Sequence, residues 1–267
     1  MNKKIYIVDA SRTAVGSLGK SLKNSSAVEL GSSVINNSIR RSKIKNSEVD
    51  EVIMGQVLTG ASGQNPARQA SINAGLPKEI PAYIVNQVCG SGLRSVASGF
   101  QSILVGDSNI VIAGGQENMS LAPHAVFMRN GRKLGDAKLV DTMIKDGLWD
   151  AFNEYHMGIT AENVAEKFQI TRTEQDKFAL ASQEKALKAQ KEKKFEDEIV
   201  NFKIKSKKNQ LDFYQDEHPR EGIDLTTLSR LKPVFKNNGT VTAGNSSGIN
   251  DGAAVVTLMS GSEVENR

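Results

Sequence analysis

Residues 82–104 read AYIVNQVCGSGLRSVASGFQSIL and place the single cysteine of the chain between a predicted strand and a predicted helix. Ala82–Val85 is a short apolar run of the kind found in buried strands. After Cys89, apolar side chains recur at helical spacing at Leu93, Val96, Phe100, Ile103 and Leu104. The stretch therefore predicts a strand, a turn that carries the cysteine and a helix, which is the repeating unit of an α/β fold.

This turn places Cys89 where a thiol can act as a nucleophile. The first N–H groups of a helix have no partner within the helix, and the helix dipole is positive at that end, so both favour a thiolate. The same N–H groups can hold the oxyanion that forms when a thiolate attacks a carbonyl. Gly90 and Gly92 keep the turn open to a substrate. We therefore predict that Cys89 accepts an acyl group, although a cysteine outside such a context is most often a small buried hydrophobe.

Signals for strands and helices alternate through the first part of the chain. Ser26, with Glu29 three residues later, forms a capping box that predicts a helix start. Asn65-Pro66 predicts another, because a capping residue precedes the helical position that suits proline. Three further apolar runs are predicted strands: Ile5–Val8, Val52–Met54 and Asn109–Ala113, the last ending in Gly114-Gly115. This order predicts a mainly parallel sheet with helices on both faces.

The alternation stops after residue 118. Residues 119–249 are helical and loop-rich in character, and Thr171 with Glu174 forms a second capping box within them. Strand character returns only at Ala253–Leu258. We therefore predict a sheet domain made of residues 1–118 and 250–267, interrupted by an inserted domain of residues 119–249.

The composition excludes several classes of function. Of 267 residues, 39% are hydrophobic and 24% are charged, which is typical of a soluble globular protein. No apolar run is long enough for a membrane span or an export signal. Lysines concentrate between Lys185 and Lys208 but alternate with acidic residues, as on a solvated helix face, and aromatic residues for base stacking are scarce at 5%. We expect neither a membrane nor a nucleic acid as a partner.

The cysteine and histidine content limits the compartment and the kind of site that can be expected. One cysteine excludes an intrachain disulfide and suits a reducing compartment, so we expect a cytoplasmic protein. His124, His156 and His218 lie too far apart in sequence to indicate a local metal site. We predict no metal.

Several motifs occur along the chain in an order that is specific to one family. They are Asp9–Thr13, Gly63–Arg68, Asn86–Arg94, Gly114–Ser120, His156–Gly158, Thr160–Asn163 and Gly239–Gly252. With these motifs the chain resembles the thiolases, and among them the short-chain, acetyl-CoA acetyltransferase type. The resemblance extends to about Leu258 and implies the N-terminal half of the thiolase fold.

The resemblance implies a role for each domain. In thiolases the cysteine that matches Cys89 is acylated by one acyl-CoA and passes the acyl group to a second, which implies acetyl-CoA and acetoacetyl-CoA as substrates and no further cofactor. The inserted domain resembles the loop domain of the family, which holds coenzyme A and contributes to a homotetramer. The implied coenzyme A contacts are Leu148, His156, Met157, Arg220, Thr227 (where serine is common), Phe235, Ala243 and Ser247.

A Claisen condensation needs more than a nucleophile, because a base must remove a proton and donors must hold the enolate. The thiolase motifs that supply these groups are Asn-Glu-Ala-Phe, Gly-His-Pro and Cys-Gly-Gly-Gly, and none of them occurs in this sequence. The sequence therefore implies an N-terminal half with its loop domain. We expect that half to be catalytically impaired alone and to expose the apolar surface that a second half would cover.

Two other functions remain open. The chain could be a non-catalytic product or a coenzyme A-binding partner of another subunit, which a measured rate of acetoacetyl-CoA cleavage would distinguish. It could also be a β-ketoacyl synthase-like condensing enzyme, although the long insertion and Thr160–Asn163 argue against this. A serine-hydrolase turn is disfavoured, because G-x-S-x-G would require glycine where Cys89 precedes Ser91.

Overall fold

The computed structural model of the protein describes residues 4–205 and 210–267, so Lys207 and Lys208 of the predicted lysine-rich face lie outside the described residues. The chain divides into two compact units. The first, here called the sheet unit, comprises Met1–Pro123, Glu198–Asp216 and Asn250–Arg267. The second, here called the insertion unit, comprises His124–Asp197 and Glu217–Ile249.

The sheet unit begins with eight elements: β1 (Ile5–Thr13), β2 (Gly16–Ser17), α1 (Ala27–Arg41), β3 (Glu51–Gly55), α2 (Pro66–Asn73), β4 (Ala82–Val85), α3 (Ser91–Val105) and β5 (Ile110–Asn118). The insertion unit continues with β6 (His124–Ala125), β7 (Val140–Asp141), β8 (Trp149–Asp150), β9 (Tyr155–His156), α4 (Met157–Lys167) and α5 (Arg172–Lys191). The sheet unit then adds β10 (Ile199–Val200), β11 (Phe202–Lys205) and β12 (Gln210–Phe213). The last elements are α6 (Leu225–Ser229) in the insertion unit, and β13 (Asn250–Ser260) and α7 (Gly261–Glu265) in the sheet unit.

The main sheet has seven strands in the order β10-β1-β13-β5-β3-β4, with β2 paired to β13. β3 runs parallel to both β4 and β5. β13 runs antiparallel to its neighbours β1 and β5. The predicted α/β architecture is confirmed, and the sheet itself is mixed, because the strand that rejoins it after the insertion enters in the opposite direction.

Helices cover both faces of this sheet, as predicted. Val52, Met54 and Ile112 point to one face and belong to the core that includes Leu30 and Val34 of α1. The intervening residues Ile53, Val111 and Ala113 point to the other face and pack with Ile103 of α3. This alternation follows from the two-residue period of a strand, so a run that is apolar throughout is buried on both sides.

The predicted helix starts are confirmed. The Ser26 side chain accepts from the Glu29 N–H, and a Glu29 carboxylate oxygen accepts from the Ser26 N–H at 2.9 Å. The Asn65 side chain accepts from the Arg68 N–H at 3.1 Å, with proline in the first turn. Thr171 and Glu174 form the same reciprocal pair at the start of α5.

The pair Gly114-Gly115 does not end the fourth predicted strand. β5 continues through this pair to Asn118. At Gly114 the neighbouring strand β13 lies unusually close. A Cβ atom on Gly114 would lie 2.0 Å from the Ala254 carbonyl oxygen. The glycine is therefore required by a close approach of two strands and not by a turn.

Residues 198–216 belong to the sheet unit and not to the insertion, which differs from the predicted boundaries of 119–249. β10 extends the sheet parallel to β1, and the side chains of Phe202 and Phe213 are buried in its core. Arg12 holds this segment, with Nε at 2.6 Å from Glu198 and both terminal nitrogens on Asp216. Nothing in the local sequence indicates this return, because β10 has two residues and gains its partners only in the folded chain.

The insertion unit is organised around α5 and α6. The Arg172 guanidinium bonds Asp176 on its own helix and donates to the backbone carbonyls of Leu228 and Leu231 at 2.6 and 3.0 Å. One side chain therefore joins the start of α5 to the end of α6. Across residues 4–205 and 210–267, no helix has the length and apolar character needed to cross a bilayer.

Candidate active site

Cys89 lies in an exposed turn between β4 and α3, at the position that the sequence predicted. The Asn86 side chain accepts from the Val88 N–H at 2.9 Å. The Ser91 hydroxyl accepts from the Gln87 N–H at 2.8 Å and donates to the Val88 carbonyl at 2.6 Å. Because Ser91 is almost fully buried and begins α3, these bonds fix the turn to the helix.

Val88, directly before the cysteine, has a φ angle of 49°. A β-branched residue rarely adopts this left-handed conformation, which costs about 1–3 kcal/mol and persists where surrounding contacts enforce it. Here the bonds from Asn86 and Ser91 do so. Such strain is concentrated at functional sites. Sequence reasoning missed it, because the left-handed conformation is rare for valine and no local pattern indicates it.

The turn uses some of the N–H groups that the sequence predicted to be unsatisfied. The Gly90 N–H donates to the Gln87 carbonyl at 3.0 Å, and the Ser91 N–H donates to the Val88 carbonyl at 3.1 Å. The prediction was wrong for these two groups, because the chain closes a tight turn on itself before the helix begins.

A cavity of about 410 Å³ opens beside Cys89. Its walls come from the ends of neighbouring strands and include Arg12, Gln56, Val57, Glu117 and Asn250. Sequence reasoning assigned none of these residues to a site. The carboxyl ends of parallel β3, β4 and β5 meet at one edge of the sheet, which is the usual place for a site in an α/β fold.

Glu117 contributes a carboxylate to this cavity. Its oxygens accept from the Val57 N–H at 2.8 Å and from the Leu58 N–H at 3.2 Å. Burial raises the pKa of the Glu117 carboxyl above its usual value, although the two N–H bonds oppose the shift. Arg12 also lines the cavity, but its guanidinium binds Glu198 and Asp216.

Asn250 contributes an unpaired acceptor to the same cavity. Its Oδ1 is buried and has no hydrogen-bond partner among the described groups. Such an atom costs free energy unless water or a ligand bonds it. Asn250 could have been found only from the fold, since the sequence places it at the entry of a strand.

In the insertion unit, His156 and Phe235 stack with ring centroids 4.9 Å apart. His156 caps α4, and its Nδ1 accepts from the Gly158 N–H at 3.0 Å, so the neutral ring carries its proton on Nε2. Gly158 makes the stack possible, because a Cβ atom there would lie 2.3 Å from the Phe235 ring. Two of the residues implied as coenzyme A contacts are thus brought together.

Glu162 anchors the segment that follows Phe235. Its carboxylate accepts from the Val241 N–H at 2.8 Å, the Thr240 N–H at 2.9 Å and the Thr240 hydroxyl at 3.0 Å. Burial alone would raise the pKa of Glu162, but these hydrogen bonds from Val241 and Thr240 lower it below its usual value. Glu162 lies in the Thr160–Asn163 motif, so this buried anchor gives the motif a physical role.

The other implied contacts are spread over the insertion unit. Met157, Arg220, Thr227, Ala243 and Ser247 are exposed, and Leu148 is half-buried at the end of the π-helical turn Met143–Leu148. In the described part of the chain, no hydrogen bond, ion pair or ring contact joins Leu148, Arg220 or Thr227 to the His156–Phe235 stack. All eight implied contacts belong to the insertion unit, whereas Cys89 belongs to the sheet unit.

Metal-ligating side chains do not cluster in the described ranges, where no group of three or more His, Cys, Asp or Glu residues could hold an ion. The expectation that the protein uses no metal remains a prediction.

Comparison with known proteins places these features in a family. The family model described as thiolase, N-terminal domain, matches residues 5–262. The acetyl-CoA acetyltransferase of Paracoccus denitrificans is 57% identical over 264 residues, which cover 99% of this chain and 68% of that protein. The acetyl-CoA acetyltransferase of Rhizobium meliloti is 55% identical over 266 residues and is covered to 68%. The crystal structure of the Bacillus anthracis acetyl-CoA acetyltransferase superposes with a TM-score of 0.96 at 40% identity, covering 99% of this chain and 67% of that one.

Proposed function

The chain belongs to the thiolase family, and we propose that it acts as an acyltransferase whose Cys89 accepts an acetyl group from acetyl-CoA. The observation that carries this proposal is the position of Cys89. It is an exposed thiol, held in a strained turn at the start of α3 and beside a cavity of about 410 Å³. Relatives that are 55% and 57% identical and are named acetyl-CoA acetyltransferases support acetyl-CoA as the donor.

The proposed first step is a thioester exchange. The Cys89 sulfur attacks the carbonyl carbon of acetyl-CoA, and the carbonyl oxygen becomes an oxyanion that the Cys89 N–H helps to hold. The intermediate then collapses, the bond from carbon to the coenzyme A sulfur breaks, and the proton lost by Cys89 ends on the released thiol. The products are acetyl-Cys89 and free coenzyme A, with no oxidant or reductant consumed.

The second step, transfer of the acetyl group to another acetyl-CoA to give acetoacetyl-CoA, needs a base for the methyl proton. The insertion-unit histidine His156 is engaged in a stack and bonds Gly158, so we assign it to ligand binding. The motifs that supply the base in the family are absent from these 267 residues. We therefore propose that these residues alone support acylation and not turnover.

The insertion unit is proposed to bind coenzyme A through the His156–Phe235 stack and the exposed residues around it. No cofactor beyond the coenzyme A thioester is proposed. The resemblance favours a homotetramer, and the single cysteine favours the cytoplasm. A β-ketoacyl synthase-like activity and a purely non-catalytic role are the competing functions. A preference for acyl-carrier-protein thioesters would favour the first, and the test below bears on the second.

The test is intact-protein mass spectrometry after mixing the 267-residue protein with acetyl-CoA. The expected result is a single acetyl adduct on Cys89 that is absent from Cys89→Ser, with one coenzyme A released per adduct. Absence of any adduct would contradict the proposal and favour a non-catalytic role. Steady accumulation of acetoacetyl-CoA would show that another residue supplies the base.

A further inference from the structure

A series of contacts within the sheet unit leads from Glu117 to the turn that carries Cys89. The first contact is the carboxylate itself. Glu117 lies near the end of β5, and its two oxygens accept from the N–H groups of Val57 and Leu58 at 2.8 and 3.2 Å. Both N–H groups belong to the chain just after β3 ends. The carboxylate therefore fixes the point at which β3 leaves the sheet.

The second contact joins the end of β3 to the start of α3. Gly55 is the last residue of β3, and a Cβ atom on it would lie 2.5 Å from the Ser91 carbonyl carbon and 2.6 Å from the Gly92 nitrogen. No side chain separates these two backbones. Because packed backbones transmit displacement directly, a shift at the end of β3 must move the start of α3.

The third contact joins α3 to the nucleophile. Ser91 begins the helix and bonds the Gln87 N–H and the Val88 carbonyl, on either side of the strained residue before Cys89. The conformation of the turn therefore depends on where Ser91 lies. All the contacts from Glu117 to Cys89 thus run through short, buried or backbone interactions.

We propose that Glu117 is a positioning residue for the Cys89 nucleophile. Its carboxylate holds the end of β3, and through Gly55 and Ser91 it holds the turn in the conformation that presents the thiol. Glutamine has the same shape, but its carboxamide has one acceptor oxygen and an NH₂ group. Because the N–H groups of Val57 and Leu58 bond different oxygens of Glu117, glutamine in the same position accepts from one of them and places its NH₂ group against the other.

The sheet contains a matched control at its opposite edge. The Asp50 carboxylate accepts from two consecutive backbone N–H groups, those of Asn109 and Ile110, at 2.7 and 2.9 Å. Asp50 thus joins β3 to β5 where the strands begin, as Glu117 joins them where they end. Both bonds end on the same oxygen, Oδ2, which asparagine could replace, so the control is Asp50→Ala, which removes both bonds in the same sheet at the edge away from Cys89.

The experiment compares the wild-type protein, Glu117→Gln and Asp50→Ala, each shown to be folded by circular dichroism and urea unfolding. Two rates are measured on each: alkylation of Cys89 by iodoacetamide, and acetylation of Cys89 over a range of acetyl-CoA concentrations. We expect Glu117→Gln to slow both by about tenfold or more, because small displacements of a reacting group cost rate steeply. The acetyl-CoA concentration at half-maximal rate should stay near the wild-type value, and Asp50→Ala should keep wild-type rates.

Wild-type alkylation rates in Glu117→Gln would overturn the proposal, and so would an equal loss in Asp50→Ala, since that would indicate general loosening of the sheet. If Glu117→Gln does not fold, Glu117→Asp replaces it and is expected to slow alkylation by a smaller factor. Unchanged rates in that variant would also overturn the proposal. Of the two measured rates, only the rate of acetylation rests on the proposed function. If the wild-type protein is not acetylated but its alkylation still depends on Glu117, the proposed function fails and the positioning role stands.

Discussion

The ring of His156 lies nearly parallel to the ring of Phe235, at 4.9 Å between centroids and 18° between planes. The two residues come from distant parts of the chain and are brought together because His156 caps α4 and Gly158, two residues later, has no side chain. A stacked pair of this kind contributes about 0.5–1.5 kcal/mol beyond the burial of its surface. The stack is therefore a structural element of the insertion unit, and under the proposed function it is also a surface for part of coenzyme A.

Gly158→Ala is expected to destabilise the protein although it lies in a helix. Alanine favours a helix over glycine by about 1 kcal/mol. Here its Cβ would lie 2.3 Å from Phe235, and overpacking costs about 1–3 kcal/mol in addition to the lost stack. Urea unfolding should show a net decrease in the free energy of unfolding, and calorimetry should show weaker coenzyme A binding. The helical control Gly92→Ala, which has open space at its Cβ, should gain stability, and a gain in both variants would contradict the prediction.

Arg220→Ala is expected to weaken coenzyme A binding by about tenfold, or ~1.4 kcal/mol. The Arg220 backbone N–H is held by Gln183 at 3.0 Å while the residue is exposed, so the guanidinium is available for a phosphate. Isothermal calorimetry at low and high salt measures the loss, which should shrink as salt screens the charge. Arg129→Ala removes another exposed arginine of the same unit and should leave the affinity unchanged. Equal affinities for Arg220→Ala and the wild-type protein would remove Arg220 from the site.

Glu162→Gln is expected to lower the free energy of unfolding by about 1–3 kcal/mol at neutral pH, because buried N–H groups of Thr240 and Val241 lose an acceptor. The pKa of Glu162 is lowered in the folded protein, so its contribution is present above the unfolded-state pKa, about 4.3, and is lost as pH falls through the folded-state value. Urea unfolding at neutral and acidic pH measures both effects. If the difference in unfolding free energy between the wild-type protein and Glu162→Gln does not shrink in acid, the negative charge of Glu162 is not what stabilises the segment around Thr240 and Val241.

The sequence predicts most of the sheet unit, because its signals are local. Capping pairs such as Ser26 with Glu29 act within one helical turn, and strands such as Ala82–Val85 match their predicted bounds. The direction of β13 and the return of residues 198–216 to the sheet are decided by pairings between residues far apart in the chain. No local pattern carries that information.

The residues of the candidate site could likewise be predicted from the sequence only in part. Cys89 could be identified because a strand, a glycine-rich turn and a helix surround it in sequence. Glu117 and Asn250 could not, because each reaches the cavity only through the folding of its strand beside the others. The strain at Val88 was also invisible, since it arises from bonds that Asn86 and Ser91 make after the turn has formed.

Val88→Asn is expected to raise the free energy of unfolding by about 1 kcal/mol. Asparagine tolerates the left-handed conformation that Val88 adopts at φ 49°, and the valine side chain is half-exposed, so little apolar burial is lost. Val88→Ala serves as the control, because it removes the β-branched side chain but lacks the polar group that favours the left-handed conformation in asparagine. Urea unfolding should rank Val88→Asn above both the wild-type protein and Val88→Ala. Equal stability of the two variants would show that the backbone strain is not relieved by asparagine.

The last prediction concerns how pH changes the stability that depends on Glu117. Burial raises the pKa of this carboxyl, so its protonated form is favoured in the folded protein relative to the unfolded chain. For an acid with a raised pKa, the contribution to stability is fully present below the unfolded-state value, about 4.3, and declines as pH rises through the folded-state value. Glu117→Gln does not titrate at this position. The free energy of unfolding of the wild-type protein should therefore fall relative to that of the variant as pH rises from acidic to neutral. Paired urea titrations of the two proteins across this range measure the difference directly. The opposite slope would mean that the N–H bonds from Val57 and Leu58 outweigh desolvation and that the carboxylate is stabilised by its surroundings.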